Sequence, residues 1–151
     1  MANWESTVLD KFGLNSLHPF QRNALHQALQ GTDTTLVCQR SGRGKSLCYQ
    51  AFTTAYRVEK TQECVVLVVS PANAGMDEQC DMLNRLGISA VIAGRDVQKD
   101  ALARQCSFQY VFFPPEVLLE KTVWRKALMS DIFHQKVKLL AIDEAHLIAR
   151  W

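Results

Sequence analysis

The stretch CQRSGRGKSLCYQ, residues 38–50, decides how this chain is read. Gly44, Lys45 and Ser46 complete the phosphate-cradling pattern G-x-x-x-x-G-K-[ST], but Gln39 stands where the first glycine belongs. Such a loop works by aiming successive backbone N–H groups at phosphate oxygens, and the helix that follows adds partial positive charge. Glycine lets the backbone approach closely, and Ser41, Gly42, Arg43 and Gly44 form the turn ahead of the lysine. In this chemistry Lys45 neutralises β- and γ-phosphate charge, and the Ser46 hydroxyl binds magnesium. A solvent-exposed turn before a helix has the same composition, so the loop alone leaves both readings open.

Around the loop, short apolar runs alternate with helical stretches. TLVC (35–38) reads as a strand leading into the loop, and 45–56 as helix. VVLVVS (65–70) is a continuous β-branched run, the mark of a strand buried on both faces. A helix is expected over 77–86, ended by Gly87. ISAVIA (88–93) and YVFF (110–113) supply two more strands, the second closed by Pro114 and Pro115. Residues 116–134 look mostly helical, and VKLLAID (137–143) is a fifth strand. Strands alternating with helices imply an α/β fold with a parallel sheet. A helical piece precedes it, with Pro19 suited to a first turn and Gly31 to the position after a last one. Its residues Phe20, Ala24, Ala28 and Leu29 recur on one face. No linker divides this piece from the rest, so a single domain over 1–151 is expected.

With 48% hydrophobic and 21% charged residues the chain has an ordinary globular mix, and a net charge of +2 neither demands nor excludes a nucleic-acid partner. The five cysteines, at 38, 48, 64, 80 and 106, are odd in number and form no C-x-x-C pair. That argues against a zinc site and a disulfide framework, and for reduced thiols in a cytosolic or nuclear compartment. The opening MANWESTVLD has no basic segment followed by an apolar run, and no apolar run reaches membrane-spanning length. An intracellular location is expected, nuclear if the source is eukaryotic.

VKLLAIDEAH carries an apolar strand straight into Asp143, Glu144, Ala145 and His146. A carboxylate at the C-terminal end of a buried strand is placed to hold Mg²⁺, and the adjacent Glu144 is a candidate base for an attacking water. Acidic residues also favour the first turn of a helix, which is the plainer alternative. Taken together, the two motifs point to binding of a nucleotide with Mg²⁺.

Here the chain resembles the first RecA-like domain of the superfamily 2 helicases, and within them the RecQ family of DNA helicases. FGLNSLHPFQ (12–21) resembles motif 0, GKSLCYQ (44–50) motif I and VVSPANAGMDEQ (68–79) motif Ia. PPEVLL (114–119) resembles the next shared segment, and DEAHLIARW (143–151) resembles motif II running into an aromatic-rich loop. The likeness implies a RecA-like P-loop NTPase domain, a parallel sheet flanked by helices, with 1–32 as the motif 0 segment, and it implies that the nucleotide is ATP. Helicases of this superfamily do not insist on the first P-loop glycine, so Gln39 is accommodated.

The resemblance also implies roles. Gln21 would read the adenine edge at N6 and N7. Ser41, Gly42, Arg43, Gly44, Lys45 and Ser46 would hold the phosphates, and Ser46 and Asp143 the metal. Lys45, Asp143 and Glu144 would carry hydrolysis, and His146 would couple ATP state to DNA contact. Ser70 and Asn73 would touch the DNA backbone, although a plain helix N-terminus fits them equally, and Trp151 would stack on a base. His18, Arg40, Arg43, Ala72 and Gly75 depart from the family pattern. Trp4 and Trp124 read as packing residues, and Lys121, Arg125, Lys126, Lys136 and Lys138 as a solvated face.

The implied parent activity is ATP-driven 3′-to-5′ unwinding, with single-stranded or forked DNA as partner. Because the chain stops just after motif II, the expectation is a domain truncated there. It would lack the second RecA-like domain and its arginine finger, and would not unwind DNA alone. The strand expected between the P-loop strand and the motif II strand would be missing, leaving a gap or a direct pairing. A non-catalytic nucleotide- or DNA-binding module is the alternative, and an unrelated P-loop kinase or transporter ATPase a more distant one.

Overall fold

The computed structural model describes residues 3–31, 44–72 and 75–144. The chain falls into two compact units, Met1–Cys64 and Val65–Trp151.

Among the described residues the first unit holds α1 (Asn3–Phe12), α2 (Pro19–Leu29), α3 (Leu47–Gln50) and α4 (Phe52–Lys60). Trp4, Val8 and Leu9 recur at helical spacing and are buried on α1, which packs on α4. On α4 the buried face is Phe52, Ala55 and Tyr56, with the two rings 5.6 Å apart. Pro19 occupies the first turn of α2, as expected, and Gly31 takes φ +78° beyond its end. The buried face of α2 is Gln21, Ala24, Leu25 and Leu29, whereas Phe20 and Ala28 are half-buried. Ala24 and Leu29 of the expected stripe are on this face, while Gln21 and Leu25 take the places expected of Phe20 and Ala28, because a buried glutamine was counted with the polar surface. The single helix expected over 45–56 is interrupted at Ala51, where ψ is −5°.

The second unit is built on a parallel sheet of β1 (Val65–Val69), β2 (Ala90–Ile92), β3 (Tyr110–Phe113) and β4 (Val137–Ile142), in the order β2-β3-β1-β4. All of β1 and β3 is buried, because each has a strand on either side and side chains packed on both faces. β4 alternates between half-buried and exposed residues. The register pairs Val69 with both Phe113 and Ile142, so three strands finish at one level.

The sheet is joined by α5 (Met76–Arg85), α6 (Val97–Arg104), α7 (Pro115–Glu120), α8 (Thr122–Leu128) and α9 (Asp131–Lys136). The stretch expected to be mostly helical over 116–134 is therefore three short helices. Lys121, with ψ +101°, separates α7 from α8, and the Ser130 hydroxyl caps α9 by accepting from the Phe133 N–H. One core cluster joins Val65, Leu67, Val69, Val111 and Phe113 to Trp124 and Phe133. Trp124 stands edge-on to Phe113 with centroids 4.7 Å apart, and the Arg104 guanidinium lies 5.5 Å from the indole ring.

Trp4 and Trp124 are both packing residues, and Lys121, Arg125, Lys126, Lys136 and Lys138 are all exposed, as expected. Among the described residues no helix is long and apolar enough to cross a membrane. The strand expected at 35–38, and with it the gap expected beside the motif II strand, lies outside the described residues.

Candidate functional site

In the first unit the turn Gly44-Lys45-Ser46 runs directly into α3. Gly44 takes φ +80°, and the carbonyls of Gly44, Lys45 and Ser46 accept from Leu47, Cys48 and Tyr49 at 3.3, 3.0 and 3.1 Å. Lys45 and Ser46 are half-buried. Cys48 follows on α3, and desolvation pushes its thiol up to about 11, so it stays neutral at ordinary pH.

Gln21 reaches this turn from α2 and is only 5% exposed. Its Oε1 accepts from the His18 N–H at 2.9 Å, the reciprocal arm of a capping box at the start of α2. Its Nε2 donates to the Gly44 carbonyl at 3.0 Å. A Cβ on Gly44 would lie 2.6 Å from that same Nε2, so both the backbone conformation and the close approach call for glycine.

These two bonds decide what the amide can offer a ligand. A glutamine amide has two acceptor lone pairs and two N–H donors. A donor faces its oxygen and an acceptor faces its nitrogen, which fixes which end is which. Among the described residues, one lone pair and one N–H are left over. Adenine requires that combination, donating from N6 and accepting at N7. Guanine presents two acceptors, O6 and N7, and a locked amide cannot supply two donors side by side.

The second unit places an acidic pair at the C-terminal end of β4. The Asp143 N–H donates to the Val69 carbonyl at 2.9 Å, which extends the sheet ladder by one rung. Its Oδ1 accepts from the Glu144 N–H, also at 2.9 Å. Glu144 has φ +56°, a left-handed conformation that costs a glutamate roughly 1–3 kcal/mol. Both residues are half-buried. Ser70, one residue past β1, is fully buried; its N–H donates to the Phe113 carbonyl at 3.0 Å and its Oγ faces the Pro71 carbonyl at 3.5 Å. Contact between that hydroxyl and DNA requires the segment to move. Ser41, Gly42, Arg43, Asn73, His146 and Trp151 lie outside the described residues.

The donor chemistry fits a magnesium nucleotide. In the first unit Ser46 offers a hydroxyl oxygen and Lys45 a compact cation, and in the second Asp143 offers a carboxylate, each by itself a group type that a magnesium nucleotide takes.

Two features escaped the sequence reading. One is the bond from Gln21 to Gly44, across 23 residues. The other is a forked ion pair in which Arg22 donates from Nε to Glu5 Oε1 at 2.9 Å and from Nη2 to Oε2 at 3.1 Å. The one available signal was an acid, Glu5, set within the apolar positions of α1.

A parallel sheet with an acidic pair at its C-terminal end, together with a Gly-Lys-Ser turn opening a helix, defines the class as the P-loop nucleotide-binding α/β proteins. More narrowly, the chain belongs to the DEAD/DEAH box helicase family, whose model matches residues 18–151. It is 33% identical over 157 residues to the ATP-dependent DNA helicase Q-like SIM of Arabidopsis thaliana, covering 99% of this chain and 17% of that protein. With the ATP-dependent DNA helicase RecQ of Haemophilus influenzae it shares 31% identity over 154 residues, 97% of this chain and 23% of the relative. With the probable ATP-dependent DNA helicase RecS of Bacillus subtilis the identity is 29% over 156 residues, 100% of this chain and 29% of the relative. The chain thus spans less than a third of the length of these relatives. The crystal structure of the DUF1998 helicase MrfA bound to DNA and AMPPNP superposes with a TM-score of 0.71 at 18% identity, covering 97% of this chain and 21% of that one. The fold is that of a helicase RecA-like domain, as the sequence implied.

Proposed function

We propose that this chain is the ATP-binding part of a RecQ-type helicase that couples ATP hydrolysis to 3′-to-5′ unwinding of DNA. The observation that carries the reading is the locked amide of Gln21, held between the His18 N–H and the Gly44 carbonyl with one donor and one acceptor to spare. In this reading residues 1–32 form the adenine-reading segment. Lys45, with the backbone of Ser41, Gly42, Arg43 and Gly44, binds the phosphates. Ser46 and Asp143 hold Mg²⁺, Glu144 takes the proton of the attacking water, and His146 couples nucleotide state to DNA. Ser70, Asn73 and Trp151 lie along the DNA path. Magnesium would supply charge neutralisation at the transferring phosphoryl group. The partner is single-stranded or forked DNA, engaged through the full-length protein.

The test compares Mg-ATP and Mg-GTP binding by the wild-type chain and by Gln21→Ala. The wild type should prefer ATP, and Gln21→Ala should lose that preference while keeping its GTP affinity. Equal binding of both nucleotides by the wild type would remove the adenine reading. Fluorescence anisotropy of the full-length protein on a labelled 3′-tailed duplex tests the DNA arm. No binding at micromolar protein, with or without an ATP analogue, would contradict it.

A further inference from the structure

The adenine-reading amide of Gln21 is itself held from α1. The family match begins at residue 18, so α1 lies ahead of it. Yet α1 is joined to the elements on both sides of the Gln21–Gly44 bond. Its apolar face packs on α4, which continues from Gly44-Lys45-Ser46 through α3. Its Glu5 grips Arg22, the residue next to Gln21 in the first turn of α2.

The chemistry of that grip is unusual for packing alone. Glu5 is 4% exposed while the Arg22 side chain is 43% exposed, so the desolvation cost of the pair falls on the carboxylate, which an apolar residue of similar size would not carry. A fork of two parallel N–H···O bonds to guanidinium adds direction, because it is satisfied in one relative orientation only. The thing to be directed is close by. The Arg22 N–H donates to the His18 carbonyl at 3.1 Å, and the His18 N–H in turn orients the Gln21 amide at 2.9 Å.

We propose that Glu5 and Arg22 are positioning residues for nucleotide selection: the fork fixes the first turn of α2 so that Gln21 presents its spare donor and acceptor to adenine. The proposal rests on the adenine reading of Gln21 given above. It makes α1 a working part of the nucleotide site, not only an N-terminal brace.

The experiment measures Mg-ATP and Mg-GTP affinities of the 151-residue chain beside Glu5→Gln, Gln21→Ala and the apolar pair Glu5→Leu/Arg22→Met. Hydrogen exchange at the His18 amide is followed in each without nucleotide. The apolar pair guards against Glu5→Gln failing to fold, since replacing both partners leaves no lone buried charge. The expected result is an ATP-to-GTP preference reduced about five-fold or more in the Glu5 variants, part of the range one bidentate base contact supplies. GTP affinity should stay unchanged and His18 exchange should quicken. Loss of preference in Gln21→Ala but not in the folded Glu5 variants would overturn the positioning role alone, leaving the pair a structural brace. An unchanged preference in Gln21→Ala would overturn the adenine reading, and the positioning role with it.

Discussion

Replacing Gly44 by alanine isolates the contact on which the adenine reading depends. Gly44 has φ +80°, and placing an L-residue there costs about 1–2 kcal/mol from the backbone alone. The new Cβ would also lie 2.6 Å from Gln21 Nε2 and 3.9 Å from its Cδ, while Gly31, at φ +78°, has nothing within 4 Å. Because the obstructing atom is the end of a flexible side chain, the clash resolves by Gln21 swinging away. That swing breaks the bonds to His18 and Gly44, each worth about 1 kcal/mol net. Gly44→Ala should therefore destabilise by about 3–4 kcal/mol and Gly31→Ala by about 1–2, a difference of about 2 kcal/mol. Urea unfolding measures it directly: with a slope of about 1–3 kcal/mol per molar, the two midpoints should differ by about 1 M. Equal midpoints, with the ATP preference intact in Gly44→Ala, would refute the claim that Gln21 is seated over this turn.

Three further outcomes are expected. Phe113→Ala should cost about 3–5 kcal/mol in urea unfolding, because it opens a cavity against Trp124 in the sheet core. Burial raises the Cys48 thiol from 9.0 to about 11, so its contribution to stability is complete below the unfolded value and lost as pH climbs toward the folded one. Thermal melts should therefore fall between pH 9 and 11, and Cys48→Ala should flatten that decline. On the proposed role of its carboxylate as a metal ligand, Asp143→Asn should weaken ATP binding about ten-fold in Mg²⁺ while leaving binding in EDTA unchanged.

The centre of the sheet was legible because VVLVV and YVFF are apolar at every position, which only a strand covered on both faces requires. The break between α7 and α8 was not, because Lys121, an exposed residue, carries no glycine or proline signal. On α2 the expected face missed Leu25 and favoured Phe20, since periodicity alone treats glutamine as surface, and here Gln21 turns inward to bond the turn at Gly44. Motif spacing marked Lys45, Ser46, Asp143 and Glu144 as residue types suited to nucleotide chemistry. It could not reveal the fork between Glu5 and Arg22, because pairing across 17 residues belongs to helix packing and leaves no local pattern.

The most direct measurement is calorimetry of Mg-ATP titrated into the purified chain and into Lys45→Ala, with near-UV dichroism to verify folding. The account predicts saturable binding by the wild type that Lys45→Ala abolishes while its dichroism is unchanged. A folded wild-type chain that takes up no nucleotide, or a Lys45→Ala variant that binds equally well, would contradict the claim that this turn holds ATP.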